Sequence, residues 1–357
     1  MDVETRMDLA KKPPTEEILM EDELRTLFQT KEHPGHYIGF EISGLLHIGT
    51  LIMCGFKIND LEKAGVRTQV YLADYHSVIN NKLGGNWEDI MKAAKYFGEG
   101  FRFFCPKTKI ISGTEMYHNN DEYWKNIIRF SKHITVARDA RCLTIMGRSE
   151  GDSLDFAQYM YPPMQAVDVK TLGADIPHGG MDQRKVHVLA RDVYPKLGWE
   201  KPVALHHHLL MGLSEPVKPQ SDDKLDRVIA SKMSKSKPWT AIFVHDSEEE
   251  IGAKLAKAWC PEKTAEMNPV LELAKYVIFH DAKSFKIERP SKFGGDKEYG
   301  SYEELEKDFV QGKVHPQDLK TSVGREMNKI IEPVRKHFEK PANAKLMEVF
   351  KESGVTR

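Results

Sequence analysis

Apolar positions in the first third of the chain switch repeatedly between strand-like and helix-like spacing. His36–Glu41 reads as a short strand and Leu45–Lys63 as a helix; Arg67–Ala73 is rich in strand formers. Trp87–Phe104 then has a helical stripe, and Lys109–Ile111 runs into Ser112-Gly113. Strands alternating with helices at this spacing predict a parallel sheet with crossover helices. Upstream, Ile18–Phe28 has helical spacing, with Leu19, Leu24, Leu27 and Phe28 apolar among acidic residues. The rhythm breaks over about 114–165, a stretch rich in Tyr, Trp, Arg and Met that reads as helical, and returns near Val167–Pro177 and Pro202–Leu209. A polar linker, Ser214–Ser236, precedes Thr240–His245. Beyond Ser247 the spacing is helical in Glu248–Trp259, Asn268–Phe279, Tyr302–Gln311, His315–Lys336 and Asn343–Glu352. The pattern predicts an α/β domain over 1–239 with a helical insertion at about 114–165, then an all-α domain over 240–357.

Composition narrows the class. The 357 residues include 52 basic and 53 acidic side chains, a net charge of −1, with 40% hydrophobic residues. That is a globular chain, not a disordered or fibrous one, and not one that coats nucleic acid indiscriminately. Cys54, Cys105, Cys142 and Cys260 are widely spaced and form no CxxC pair, which predicts reduced intracellular thiols and neither a disulfide scaffold nor a thiolate zinc site. The charged start lacks an apolar signal core, and no stretch approaches the roughly 18 apolar residues of a membrane helix. A cytoplasmic location, without membrane contact, is expected.

Two segments suggest phosphate chemistry. In Tyr37–Thr50 (YIGFEISGLLHIGT) a strand runs through a Ser/Gly turn into a helix whose first turn holds His47 and Gly49. A helix N-terminus presents unpaired N–H groups and positive dipole character, which suits phosphate. Gly39 and Gly49 allow close approach of a nucleotide, and His47 can donate to a phosphate oxygen. The second segment, Lys232-Met-Ser234-Lys235-Ser236, places two lysines in a polar stretch after the last sheet strand. Alone, each also reads blandly, as a helix histidine and a solvated basic turn. Together they resemble the HIGH and KMSKS signatures of class I aminoacyl-tRNA synthetases, which implies a Rossmann-like catalytic domain that activates an amino acid with ATP. In that chemistry charge accumulates on phosphoryl oxygens, so donors and lysines placed there lower the barrier. His47, Lys232 and Lys235 are the implied catalytic groups; Gly39, Gly49, Thr50, Gly180, Asp182, Lys232, Ser234 and Lys235 are the implied ATP contacts. The fourth HIGH position is Thr50, whose hydroxyl can donate a hydrogen bond but cannot carry charge.

The resemblance extends over about 35–338, through LADYH (72–76), YPPMQAVD (161–168), GGMDQRKVH (179–187), KFGGD (292–296) and HPQDLK (315–320). These segments are similar to tyrosyl-tRNA synthetases of the archaeal and eukaryotic cytosolic type. Tyr161, Gln165 and Asp168 stand at i, i+4 and i+7, on one helix face, where a core stripe would be apolar. Pro162 and Pro163 suit the first turn of that helix. The resemblance implies that Tyr37 and Asp168 face the phenol of L-tyrosine, while Tyr161, Gln165 and Gln183 hold its ammonium end. A pocket built to pair a hydroxyl rejects an analogue lacking it, a point for which tyrosyl-tRNA synthetases are themselves the usual illustration. Asp182 suits ribose hydroxyls. Asp74 and His76 lie near a strand end, with a structural hydrogen-bonding role equally open. In His206-His207-His208 neighbours alternate faces, so no protein-bound metal is expected; Mg2+ would accompany ATP, held by phosphates and water.

Residues 124–148 (Lys125, Arg129, Lys132, Arg138, Arg141, Arg148 and Asp139) carry a net +5 and the last 37 residues a net +3. Arg138 and Arg141, i and i+3 on one helix, could meet a phosphate backbone or form a solvated face. By the resemblance this insertion contacts tRNA(Tyr) and forms a homodimer interface, Arg184 meets the acceptor end, and Phe293, His315 and Asp318 read the anticodon. Two alternatives remain: a tryptophanyl-tRNA synthetase, and a synthetase-like RNA-binding protein without aminoacylation. Asp168 and Tyr37 favour a phenol over an indole, and the intact lysine loop favours an enzyme.

Overall fold

The computed structural model describes residues 1–147, 153–217 and 224–352, so Arg148 lies outside the described residues. The chain forms two compact units. One comprises Met1–Gly44, Lys57–His208 and residues 345–352; the other comprises Leu45–Phe56 and the described part of Leu209–Ala344. The Lys232–Ser236 loop thus belongs to the same unit as His47 and the C-terminal helices.

The first unit is built on six strands: β1 Thr15–Leu19, β2 His36–Phe40, β3 Gln69–Leu72, β4 Lys109–Ser112, β5 Ile176–Gly180 and β6 Ala204–His207. They lie in the order β1-β6-β5-β2-β3-β4. All neighbours are parallel except β1, which runs antiparallel to β6. The chain winds outward from β2 to β4, then restarts at β5 on the other side of β2. In open α/β sheets such a reversal opens a ligand site at the strands' carboxyl ends. Two apolar clusters pack with the sheet. One joins Tyr37 and Tyr71 to Phe130, Val167 and Leu189; the other joins Ile176 and Leu205 to Met7, Phe28 and Leu61.

The second unit is mainly helical, with Glu248–Ala256, Tyr302–Val310 and the long Pro316–Glu339 as principal helices. Ser247 opens the first with a reciprocal capping box to Glu250. A hairpin, β7 Phe285–Ile287 against β8 Lys297–Tyr299, interrupts the helices. Its strands are three residues each, too short to leave a period in the sequence.

Other departures have similar causes. Ile18–Phe28 is not one helix: β1 ends at Leu19 and a helix follows over Glu21–Thr30. The pairing of β1 with β6 (Ile18↔Leu205, Leu19↔Ala204) overrides the local period. The charged opening forms a helix, Val3–Lys11, whose Asp2 cap accepts from the Thr5 N–H at 2.8 Å. Leu45–Lys63 is helical only from a π-turn, Gly49–Met53, onward. The polar linker contains a helix at Lys224–Ser231.

The segment after 344 returns to the first unit. Its helix Glu348–Glu352 packs on helix Trp87–Phe104, with Val349 and Phe350 buried and the Phe350 ring 5.2 Å from Tyr96. Phe350→Ala should destabilise this unit by about 3–5 kcal/mol, the usual range for a buried Phe truncation. Denaturant unfolding checks it; an unchanged midpoint would mean that the segment does not pack there.

Candidate active site

In the first unit the site is centred on Asp168, 1% exposed on helix Tyr161–Thr171. Its Oδ1 accepts from the Tyr117 hydroxyl at 2.9 Å and the Tyr123 hydroxyl at 3.0 Å. Tyr71 in turn donates to Tyr117 at 2.5 Å. Oδ2 has no hydrogen-bond partner among the described residues and stands 3.6 Å from His76 Nε2. Burial pushes the Asp168 carboxyl well above the usual range, and the two phenol donors pull it back. His76 is driven by burial down to about 3 and is neutral. Tyr37, on β2, is buried beside Tyr71, and burial followed by the Asp168 charge raises its phenol above the ordinary range.

Tyr161 donates to Glu41 Oε1 at 2.9 Å, and the same carboxylate receives Asn80 at 2.7 Å and Lys82 at 3.1 Å. Gln165 donates to Gln183 at 3.1 Å, and Gln183 donates to the Ile145 carbonyl at 3.1 Å. Buried polar atoms normally find partners. Here Asp168 Oδ2 and Gln165 Oε1 lack one among the described residues. Apolar walls with a few unmatched polar atoms suit a small amphipathic ligand.

Asp74 proves structural: it accepts from Thr114 N at 3.0 Å, Thr114 Oγ1 at 2.6 Å and Tyr75 N at 2.9 Å. Gly113 makes this possible, because a Cβ there would lie 2.2 Å from Asp74 Oδ1. Gly179 is likewise required by a neighbour, since its Cβ would fall 2.9 Å from the Gln183 Cβ. Gly180 ends β5, and Asp182 sits in the 3-10 turn that follows. Gly39 lies on β2 and is less confined, with Tyr71 3.4 Å from a built Cβ.

In the second unit each signature segment is held by its own short backbone link. Ile48 N–H donates to Ile242 at 3.0 Å and Val244 N–H to Leu46 at 3.1 Å, bracketing His47 opposite Phe243. Met233 N–H donates to Leu210 at 2.7 Å, and Lys232 faces Met211. Burial, then the Lys235 and Lys232 charges, hold His47 down to about 3. His47 is therefore a neutral ring facing two cations. Its Nε2 lies 3.0 Å from Thr50 Oγ1, Gly49 is overlaid by its ring, and Ser234 pairs with Ser236 at 2.9 Å.

The basic candidates are less free than their charge suggests. Arg138 pairs with Asp192, and Arg184 Nε donates to both Glu17 oxygens at 2.9 Å. Arg141 is exposed. In the second unit His315 caps helix Pro316–Glu339, its Nδ1 accepting from Gln317 N at 3.1 Å, with Asp318 in the first turn. Phe293 ends a 3-10 turn, and its side chain lies outside those described. The consecutive histidines are paired separately: His206 with His187 and Glu17, His207 with His178, and His208 with Glu16.

Sequence reasoning missed Glu41, Tyr71, Tyr117 and Tyr123. The three phenols come from a strand and two helices, so no shared spacing connects them. Glu41 follows β2 directly in YIGFE, and a carboxylate at a strand's carboxyl end was a usable signal.

Asp139 gives the insertion a pH response. It is 5% exposed, its Oδ1 lacks a partner among the described residues, and burial raises it from 3.8 to about 7. Between those values the folded chain binds more protons than the unfolded one, so stability falls as pH rises, and the loss is complete above about 7. Asp139→Asn should therefore melt higher than wild type at pH 8 and equally at pH 4. Parallel melting curves at both pH values would contradict this.

The geometry agrees with what the chain is similar to. The family described as tRNA synthetases class I (W and Y) matches residues 29–332. A tyrosine–tRNA ligase of Thermococcus gammatolerans is 48% identical over the full length of both chains, and one of Pyrobaculum calidifontis is 46% identical, also over the full length of both. The crystal structure of tyrosyl-tRNA synthetase from Pyrococcus horikoshii, complexed with L-tyrosine, superposes with a TM-score of 0.91 at 45% identity, covering 98% of this chain and 100% of that one. A tryptophanyl-tRNA synthetase from Aeropyrum pernix shares the fold at 18% identity and a TM-score of 0.68. No helix among the described residues is long and apolar enough to cross a membrane. The chain belongs to the class I tRNA synthetases (W and Y), among their tyrosyl-tRNA synthetases.

Proposed function

We propose that this chain is a tyrosine–tRNA ligase, acting in the cytoplasm as a homodimer. The observation that carries the reading is the buried Asp168 carboxylate, with one oxygen held by two phenols and the other without a partner. A tyrosine hydroxyl donating to Oδ2 would complete it, near Tyr37. The Glu41, Tyr161, Gln165 and Gln183 group offers the acceptors an ammonium needs. An indole N–H could also donate, but the full-length relatives are tyrosine–tRNA ligases and the tryptophan enzyme is similar in fold alone.

In the first step the tyrosine carboxylate oxygen attacks the α-phosphorus of ATP. A C–O–P linkage forms, the bond to the β-phosphate oxygen breaks, and pyrophosphate leaves. Lys232 and Lys235 neutralise the charge that gathers on the phosphates, and loop contacts that strengthen in the transition state raise turnover. His47, kept neutral, serves as hydrogen-bond partner and not as an acid. Mg2+ would travel with ATP on phosphate and water oxygens. Asp182 accepts from ribose hydroxyls, beside Gly180. A terminal ribose hydroxyl of tRNA(Tyr) then attacks the tyrosyl carbonyl and AMP leaves. Arg138, Arg141 and Arg184 would meet the acceptor stem. Phe293, His315 and Asp318, in a helical anticodon-binding domain, would read the anticodon by stacking and base-edge contacts.

Amino-acid-dependent ATP–pyrophosphate exchange tests the reading. Tyrosine should support exchange, while tryptophan and buffer should not; exchange with tryptophan alone would reverse the assignment. Asp168→Asn, which keeps the size but loses the carboxylate, should lower kcat/KM for tyrosine by about 10–100-fold, as for a hydrogen bond to a charged group. Lys235→Ala should lower kcat by about 100-fold or more with little change in KM for tyrosine. Because His47 is held at about 3, the exchange rate should show no limb near 6.5 that His47→Gln removes; such a limb would show that the histidine titrates.

A further inference from the structure

Three histidines form a continuous row through the interior of the first unit. His36 on β2, His178 on β5 and His207 on β6 occupy neighbouring strands and are 0%, 2% and 6% exposed. His36 Nε2 lies 3.1 Å from His178 Nδ1, and His178 Nε2 lies 2.9 Å from His207 Nδ1. Three polar rings replacing apolar residues in a sheet core are unfavourable unless their hydrogen bonds close.

Proton accounting gives the row a direction. A neutral imidazole has one donor nitrogen and one acceptor nitrogen. Burial drives His36 to about 3 and His207 to about 4, so the rings are neutral. His36 Nδ1, at the inner end, is buried without a partner among the described residues. If it bore the proton, a donor would be stranded in the core, which is the rarer fault; a bare lone pair is the milder one. Hence His36 Nε2–H donates to His178 Nδ1, His178 Nε2–H donates to His207 Nδ1, and His207 must carry its own proton on Nε2. The row thereby fixes a donor at its outer end. There β6 pairs His207 with Gly180, two residues before Asp182, and the Asp182 carboxylate is the charge acting most strongly on the His207 ring.

We propose that His207 is a positioning residue for the nucleotide-side carboxylate Asp182, with its tautomer imposed from the core by His178 and His36. The inference rests on the reading of Asp182 as the ribose acceptor. A carboxylate oriented by a fixed N–H keeps its free lone pairs aimed at the ligand, as outer partners do for metal ligands. Neither a metal nor a charged histidine is involved.

The test uses the full chain in pyrophosphate exchange, with KM for ATP and for tyrosine measured separately. His207→Leu should raise KM for ATP by about tenfold or more and leave KM for tyrosine within about twofold, the size expected for one hydrogen bond to a carboxylate. His207→Asn, which retains an N–H donor, should recover most of the loss. In an Asp182→Asn background His207→Leu should add little, because the two act as one unit. An undiminished effect in that background, or an unchanged KM for ATP in His207→Leu, overturns the inference while the ribose reading stands. An unchanged KM for ATP in Asp182→Asn overturns the ribose reading and the inference with it. Nitrogen-15 spectra of the wild-type rings give a check that no folding failure can obscure: His207 should show a protonated Nε2 and a bare Nδ1, and the opposite tautomer refutes the proposal.

Discussion

A carboxylate with almost no solvent contact has to be surrounded by donors, and the placement of Asp168 imposes that requirement on much of the first unit. Its two phenol partners come from helices Gly113–Tyr117 and Asp121–Ser131, and Tyr71 on β3 supports one of them. The tyrosine cluster therefore ties the insertion to the sheet through one oxygen of the carboxylate whose other oxygen is left for a ligand. Desolvation raises the cost of ionising Asp168, and every phenol hydrogen bond lowers it. The partnerless Oδ2 is the residue of that balance, a demand for one more donor that an amino-acid side chain can meet.

The second unit works under a different constraint, set by the cations of its lysine loop. Burial, and after it the charges of Lys235 and Lys232, suppresses protonation of His47, so the ring remains a neutral hydrogen-bonding group. Placing the charge on lysines at the end of a short backbone ladder, and not on the histidine, lets it follow the phosphates as charge builds there.

Much of this was legible in the sequence, for identifiable reasons. Strands β2, β3, β4 and β6 fall within stretches whose local pattern reads as strand, whereas β5, Ile-Pro-His-Gly-Gly, carries no such pattern; helix Trp87–Phe104 was delimited by its stripe. The face shared by Tyr161, Gln165 and Asp168 followed from a period of 3.6 in one helix. What escaped was assembled from distant segments. β1 owes its strand to the edge of β6, and Tyr71, Tyr117 and Tyr123 meet Asp168 only once three elements have docked. The histidine row needs β2, β5 and β6 side by side, an order no local pattern encodes. His206-His207-His208 looked like one feature, yet the fold gives each member different partners. Charge counting misled in a related way, because Asp139 is buried and Arg138 and Arg184 are already paired.

Recognition of a phenol by this chain depends on Asp168 as the acceptor for the ligand hydroxyl. Isothermal titration calorimetry of the full chain with tyrosine and with phenylalanine, without ATP, measures this directly. Tyrosine should bind saturably and phenylalanine should give no measurable heat, because it leaves the buried Oδ2 without a donor. Comparable affinity for the two amino acids would contradict this role of Asp168.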